Sequence, residues 1–182
     1  MGPVNRVNLP NAITIARFLL VPVVVWAIAV HQMQVAFWLF AAAALSDMLD
    51  GFLAKNFGMA SEFGAHLDPL ADKAMLMSIY VMLAIAGTLP LWLVIAVVSR
   101  DVMILAAIML SWLMGKPLEI RPLFVSKANT MAQFLLATLV LATGAFGIDP
   151  GEMLTIGIIV VGALTGLSAA AYLATWTRHM AS

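Results

Sequence analysis

Long apolar runs separated by short breaks constrain the fold of this chain more than any other feature. Six runs can be placed, each about as long as a helix needs to cross the roughly 30 Å hydrocarbon core of a bilayer. They cover Leu9–Val30, Met33–Ala54, Asp68–Gly87, Leu91–Met114, Ser126–Phe146 and Met153–Trp176. Because the runs are continuous and do not alternate with polar residues, they exclude a membrane β-barrel. We therefore predict an all-α integral membrane bundle of six transmembrane helices, forming a single domain over residues 1–182.

The composition agrees with this prediction and excludes several classes of function. The chain is 64% hydrophobic and only 10% charged, whereas a soluble domain is about half apolar and a quarter charged. Its net charge is zero and it has no basic run, so it lacks the positive surface that nucleic-acid binding requires. It also has no cysteine, which excludes disulfides, thiolate metal sites and cysteine nucleophiles.

The positive charges predict how the helices are oriented. In a six-span topology every Lys and Arg near a helix end falls on one side of the membrane. These residues are Arg6, Lys55, Lys116, Arg121, Lys127 and Arg178. The opposite links carry only His31, Asp149 and Glu152. By the positive-inside rule, both termini face the cytoplasm.

Four aspartates in the middle of the chain form the most informative motif. Asp47 and Asp50 are three residues apart near the end of the second run, and Asp68 and Asp72 are four apart at the start of the third. Either spacing places two carboxylates on one face of a helix. Because the intervening segment reverses the chain, we expect the two pairs to converge. Pro69 is expected in the first turn of the third helix, where its missing N–H costs nothing.

Such a set of carboxylates needs compensating positive charge. One carboxylate inside a span costs about 2.5–3.5 kcal/mol on insertion scales, and the nearby Lys55 and Lys73 supply only two charges. Bound divalent cations are the simplest balance, and oxygen ligands favour Mg²⁺ or Mn²⁺ together with a phosphate-bearing substrate. The alternative is a solvated cytoplasmic loop. Asp47 and Asp72 argue against it, because they lie inside apolar runs.

Two glycines and the first helix extend this candidate site. Gly51 follows Asp50 directly and Gly64 precedes Asp68 by four residues, so a ligand could approach the backbone closely at both. Alternatively, Gly51 ends the second helix and Gly64 belongs to a turn. In the first helix, Arg17 shares one side with two polar residues and either faces the aspartates or snorkels to the interface. Those two residues are Asn11 and Thr14.

The spacing of these residues resembles a family signature. The pattern Asp47-x2-Asp50-Gly51-x2-Ala54-Lys55-x8-Gly64-x3-Asp68-x3-Asp72 is similar to that of the CDP-alcohol phosphatidyltransferases. The departure is Lys55, where the pattern has Arg. Lysine keeps the charge but lacks the planar fork that binds a phosphate at two points. The stretch from Asn8 to Arg17 also resembles the start of many members.

The resemblance implies phospholipid synthesis from CDP-diacylglycerol, with CMP released at the cytoplasmic face, and we expect a bacterial inner membrane. Asp47, Asp50 and Asp68 would hold the metal, Mg²⁺ or Mn²⁺. Asp72 would be the general base and would also contact the metal. The nucleotide-binding residues would be Gly51, Ala54, Lys55 and Gly64, joined by Asn11, Thr14 and Arg17. The family resemblance further suggests a homodimer.

Three stretches resemble the mitochondrial-type cardiolipin synthases within this family. They are Gly64–Lys73, Val98–Val102 and Phe124–Thr130. The acceptor alcohol is therefore expected to be phosphatidylglycerol, with glycerol 3-phosphate as the alternative. Both carry a phosphate, for which Arg100, Lys127 and Arg121 are the candidate ligands. Alternatively, Arg100 only pairs with Asp101 or Asp72, and Arg121 only sets the topology.

A small ion-coupled transporter is the competing class, because intramembrane carboxylates also mark ion pathways. A carrier site lies near the bilayer midplane and is often built from two related halves. Here the aspartates gather near one membrane face, and no second half repeats them. The pattern therefore favours the enzyme.

Overall fold

The computed structural model describes residues 8–57, 62–114 and 124–181. For residues 8–15, 47–57, 62–72, 108, 112, 180 and 181 it describes the backbone alone. Within these ranges the chain forms six α-helices. They are α1 (Asn8–Ala29), α2 (Met33–Phe57), α3 (Glu62–Ile85), α4 (Leu91–Leu113), α5 (Phe124–Phe146) and α6 (Gly151–Ala181). The prediction of an all-α fold with six helices is confirmed.

Tight turns join three of the successive helix pairs. Residues in the left-handed region reverse the chain at His31 between α1 and α2, at Gly87 between α3 and α4, and at Gly147 and Gly151 between α5 and α6. The Asp149 carboxylate accepts a hydrogen bond from the Gly151 backbone N–H at 3.0 Å, which satisfies a donor at the start of α6. Links this short make the joined helices antiparallel neighbours.

In the helix packing, α1 and α5 each contact several other helices. α1 contacts both α2 and α3, α5 contacts α2, α3 and α6, and α4 contacts α3 and α6. The shared core consists of fully buried apolar side chains from all six helices. Its largest members include Val24, Ile28, Phe40, Ile79, Leu83, Leu93, Val97, Leu141 and Val161.

The outer surface of the bundle is also apolar. Many large hydrophobic side chains are exposed, and those more than half exposed include Leu19, Trp38, Ile85, Leu113 and Phe124. So many exposed hydrophobic side chains suit a surface that faces lipid. Three helical segments in the described part of the chain are long and apolar enough to cross a membrane. They are Leu91–Ser111, Phe124–Phe146 and Gly151–His179. Shorter apolar segments of α1, α2 and α3 accompany them, as in a multi-pass membrane protein.

The start of α3 corrects two predictions. The helix begins at Glu62, six residues before the predicted start at Asp68. Pro69 is consequently the eighth residue of α3, so its predicted place in the first turn is wrong. Gly64 lies inside the helix and not in a turn. The physical reason is that an apolar run marks only the part of a helix that lipid or core covers, and here the helix continues through polar residues.

Two other helices also continue past the ends that the apolar runs predicted. α2 continues through Gly51 to Phe57, so the alternative that Gly51 ends the helix is wrong. α6 continues five residues past Trp176 to Ala181. Backbone hydrogen bonding propagates a helix beyond its buried stretch at little further cost, because nucleation is the expensive step.

Candidate active site

The backbone places two aspartate positions on each of two successive helices, at similar distances from the helix ends that residues 58–61 join. α2 and α3 are joined by residues 58–61, which lie outside the described ranges. Asp50 is seven residues from the end of α2, and Asp68 is six residues from the start of α3. Asp47 and Asp72 are each ten residues from those helix ends. At ~1.5 Å rise per residue, the positions lie about 10 Å and about 15 Å from those helix ends.

The donor chemistry of these positions fits a hard divalent cation. Among the residues whose side chains the structure describes, no group of His, Cys, Asp or Glu could hold a metal ion. The four aspartate side chains lie outside that part, so the fit depends on the type of donor and on the helix positions. Four aspartates, two on each helix, offer only oxygen ligands, which Mg²⁺ and Mn²⁺ prefer.

The first helix supplies a buried cation to the same end of the bundle. Arg17 is 2% exposed, and α1 contacts both α2 and α3. It lies 12 residues before the end of α1, while Asp47 lies 14 residues after the start of α2. The tight turn between these helices therefore gives the two residues similar heights. The burial of Arg17 favours the inward position over snorkelling. Asn11, Thr14, Ala54 and Lys55 have described backbone only.

A cluster of three charged residues connects α3 with α4. We call Lys73, Arg100 and Asp101 the basic cluster. Arg100 and Asp101 are 4% and 5% exposed. The Arg100 Nη1 atom donates to Asp101 Oδ1, and Lys73 Nζ lies 3.2 Å from Asp101 Oδ2. Two cations thus share one carboxylate. Because Lys73 directly follows Asp72 in α3, the cluster adjoins the aspartate positions.

Hydroxyl groups from two further helices fix the guanidinium of Arg100. Its Nε and Nη2 atoms donate to Ser168 Oγ at 3.1 and 2.6 Å, and Nη2 also donates to Ser126 Oγ. The Tyr172 ring lies 5.6 Å from the guanidinium carbon, within the range of a cation–π contact. Groups from three helices, α4, α5 and α6, therefore hold this side chain in one orientation.

The three predicted acceptor ligands have different surroundings. Arg100 belongs to the basic cluster, and its pairing with Asp101, which the sequence left open, is observed. Lys127 is exposed at the start of α5. Arg121 lies outside the described ranges. The structure brings Arg100 together with Lys73, which the sequence suggested only as a counter-charge for the aspartates.

Sequence reasoning did not identify the groups that orient Arg100. Ser126 and Ser168 are 42 residues apart and neither belongs to the aspartate signature. The available signal was a polar residue inside an apolar run, because such residues generally face the interior of a bundle. The same signal applies to Asp101, which was considered only as a partner of Arg100.

An apolar groove between α4 and α6 adjoins the basic cluster. It has a volume of about 160 Å³. Its lining residues are Met103, Ile104, Ala106, Ala107, Leu110, Tyr172, Leu173 and Trp176. The indole N–H of Trp176 donates to Ser111 Oγ at 3.0 Å, so the groove presents the apolar ring. Tyr172 forms part of both the groove and the surroundings of Arg100.

Comparison with known proteins identifies the class of this site. Residues 7–176 match the family model of the CDP-alcohol phosphatidyltransferases. The chain therefore belongs to the CDP-alcohol phosphatidyltransferase family, which is a family of enzymes. This confirms the resemblance found in the aspartate signature.

Individual relatives fall into two groups. The chain is 34% identical over 158 residues to "Cardiolipin synthase (CMP-forming)" of Rattus norvegicus, covering 78% of this chain and 52% of the relative. It is 39% identical over 106 residues to "Probable phosphatidylglycerophosphate synthase" of Mycobacterium tuberculosis, covering 55% and 51%. It is 33% identical over 165 residues to a chloroplastic CDP-diacylglycerol–glycerol-3-phosphate 3-phosphatidyltransferase of Oryza sativa subsp. japonica, covering 81% and 50%. The chain spans about half the length of these curated relatives.

Proposed function

We propose that this chain transfers the phosphatidyl group of CDP-diacylglycerol to a hydroxyl of phosphatidylglycerol, forming cardiolipin and releasing CMP. Family membership supports the reaction type. The observation that favours a lipid acceptor is the apolar groove beside Arg100. It offers space for an acyl chain next to a cation that suits a phosphate. Glycerol 3-phosphate has no acyl chain and would leave the groove unused.

Glycerol 3-phosphate is the second candidate acceptor, with phosphatidylglycerophosphate as product. The observation in its favour is the 39% identity to the mycobacterial relative. That match covers 55% of this chain, whereas the match to the rat cardiolipin synthase covers 78%. Both alcohols present a phosphate and free hydroxyls, so the same basic cluster would serve either.

In the proposed mechanism, Asp72 takes the proton from the acceptor hydroxyl. The hydroxyl oxygen then attacks the lipid-side phosphorus of the diphosphate, and the bond from that phosphorus to the CMP oxygen breaks. Asp47, Asp50 and Asp68, with Asp72, would hold Mg²⁺ or Mn²⁺, which would neutralise the charge of the diphosphate. A carboxylate next to such an ion stays ionised at neutral pH, as a base must.

The other residues would bind and orient the substrates. Lys55 would contact the nucleotide phosphates, and Gly51, Ala54 and Gly64 would leave room for the cytidine. Asn11, Thr14 and Arg17 would line the same pocket from α1. Arg100 and Lys73, with Lys127 and Arg121 near the cytoplasmic face, would attract the acceptor phosphate. We further propose that both termini and the site face the cytoplasm of a bacterial cell, and that the enzyme is a homodimer.

The acceptor is tested by offering each alcohol separately. We expect purified protein with CDP-diacylglycerol and Mn²⁺ to form cardiolipin from phosphatidylglycerol, with a kcat/KM at least about tenfold above that for glycerol 3-phosphate, equivalent to roughly 1.4 kcal/mol. Mass spectrometry of the lipid products and CMP release give the two rates. Faster formation of phosphatidylglycerophosphate would replace the lipid acceptor with the soluble one.

A further inference from the structure

Two side-chain amides on α5 are buried but do not belong to the basic cluster. Asn129 and Gln133 are 0% and 3% exposed. The Asn129 Oδ1 atom accepts a hydrogen bond from Thr165 Oγ1 at 3.0 Å, which leaves its NH₂ group as a donor. Among the residues that the structure describes, neither Asn129 Nδ2 nor Gln133 Nε2 has a hydrogen-bond acceptor. We call these two side chains the amide pair.

Leaving the amide pair unsatisfied would be costly. A buried donor without a partner costs about 1–3 kcal/mol, and the apolar surroundings of a membrane helix offer no bulk water to replace the partner. Leu at either position would avoid this cost. The donors therefore need oxygen acceptors from outside the described residues.

Contacts between α3 and α5 show where these donors lie relative to the proposed base. The Tyr80 hydroxyl donates to the Gln133 carbonyl at 3.0 Å. Seven residues earlier in each helix, Lys73 and Ser126 both meet the Arg100–Asp101 pair. α3 and α5 therefore run parallel and in step. In this register Asn129 lies about one helical turn, ~5.4 Å, beyond the height of Asp72.

We propose that the Asn129 amide is a binding site for a hydroxyl oxygen of the acceptor alcohol. A glycerol phosphate group would place its phosphate at Lys73 and Arg100 and extend its hydroxyls about one turn deeper toward Asn129. The Asn129 NH₂ group donates to the hydroxyl that does not react, which directs the reacting hydroxyl toward Asp72. This inference rests on the proposed function. Phosphatidylglycerol and free glycerol 3-phosphate share this chemistry.

The charge around the cluster supports the placement of the phosphate. Lys73 is 40% exposed at its side chain, and its ammonium has three donors, of which Asp101 receives one. Arg100 and Lys73 together exceed the single charge of Asp101 by one. An acceptor phosphate beside them would supply the missing negative charge, while the neutral Asn129 amide one turn away would bind a hydroxyl of the same acceptor.

The test compares Asn129→Leu with wild type for both acceptors. Leu has the same number of side-chain heavy atoms in the same branched arrangement and cannot donate, so the acceptor KM should rise about 5- to 10-fold, as expected for one hydrogen bond. The KM for CDP-diacylglycerol should stay unchanged. Thr138→Val is the control, because Thr138 is a part-buried α5 residue whose hydroxyl donates to the Phe134 carbonyl of its own helix, away from Asn129 and the groove. Asn129→Ala serves as a second variant, with the same expected split, should the Leu variant fail to fold.

An acceptor analogue tests whether Asn129 binds the acceptor or only stabilises the fold. Phosphatidyl-1,3-propanediol lacks the hydroxyl that does not react. Wild type should use it with a KM about 5- to 10-fold above that for phosphatidylglycerol, whereas Asn129→Leu should treat both alike. The corresponding propanediol phosphate tests the soluble acceptor.

Three outcomes would overturn the inference. One is an unchanged acceptor KM in folded Asn129→Leu, which would mean that buried water satisfies the amide. Another is a wild type that does not distinguish the propanediol acceptor from phosphatidylglycerol. The third is a wild type that transfers to no alcohol, and this result alone would refute the proposed function as well.

Discussion

Asp72→Asn should lower kcat about 10²- to 10⁴-fold, the range that general-base catalysis commonly contributes. Asn has nearly the same shape as Asp but cannot take the proton from the acceptor hydroxyl. CDP-diacylglycerol binding should largely persist, so its KM should change little. Steady-state kinetics with both substrates varied gives kcat and the two KM values.

Asp50→Asn provides the matched comparison, because it removes a carboxylate from α2 and leaves the proposed base on α3 in place. Its expected effect is weaker binding of both metal and CDP-diacylglycerol, seen as a higher Mn²⁺ requirement and a raised donor KM. A loss of kcat with little change in KM indicates a general base, whereas weaker binding of metal and CDP-diacylglycerol indicates a metal ligand. Near wild-type kcat in Asp72→Asn would require a different base.

Asp101→Leu should lower the free energy of unfolding by about 3–5 kcal/mol, the usual cost of breaking a buried ion pair by removing one partner. Arg100 is 4% exposed, and without Asp101 its charge would keep only hydroxyl partners. The double variant Arg100→Met with Asp101→Leu removes both charges and should recover a large part of the loss. Thermal unfolding in one detergent, followed by tryptophan fluorescence, ranks the variants.

Lys73→Met serves as the control for this comparison. Its ammonium also pairs with Asp101, but the Lys73 side chain is 40% exposed, so solvent screening makes the loss much smaller. If Asp101→Leu were no less stable than Lys73→Met, the buried Arg100–Asp101 ion pair would not stabilise the fold as described.

The sequence predicted most of the fold because each helix carries its own signal. α4 was predicted over Leu91–Met114 and is observed over Leu91–Leu113, since hydrophobicity and length are local properties. The start of α3 was wrong, because residues 62–67 lie outside the apolar run. Helix continuation there depends on backbone propagation, to which an apolar pattern is insensitive.

The candidate site also has a part that the sequence predicted and a part that it did not. Asp68 and Asp72 were predicted as site residues from their spacing, because residues four apart share a helix face. The contact between Lys73 and Asp101 was not predicted, since it joins residues 28 apart on different helices. Asn129 stood in a stretch that suggested a cardiolipin synthase, yet its unsatisfied amide appears only once α5 is packed against α6.

The central claim is that this chain moves a phosphatidyl group intact and needs a divalent cation to do so. CDP-diacylglycerol labelled with ³²P at the lipid-side phosphorus and ³H in the cytidine tests this most directly. With Mn²⁺ or Mg²⁺ and phosphatidylglycerol, all transferred ³²P should appear in the lipid product, matched one for one by ³H-labelled CMP. EDTA should abolish both signals, and added metal should restore them. Undiminished transfer in EDTA, or ³²P released with the nucleotide, would contradict the account.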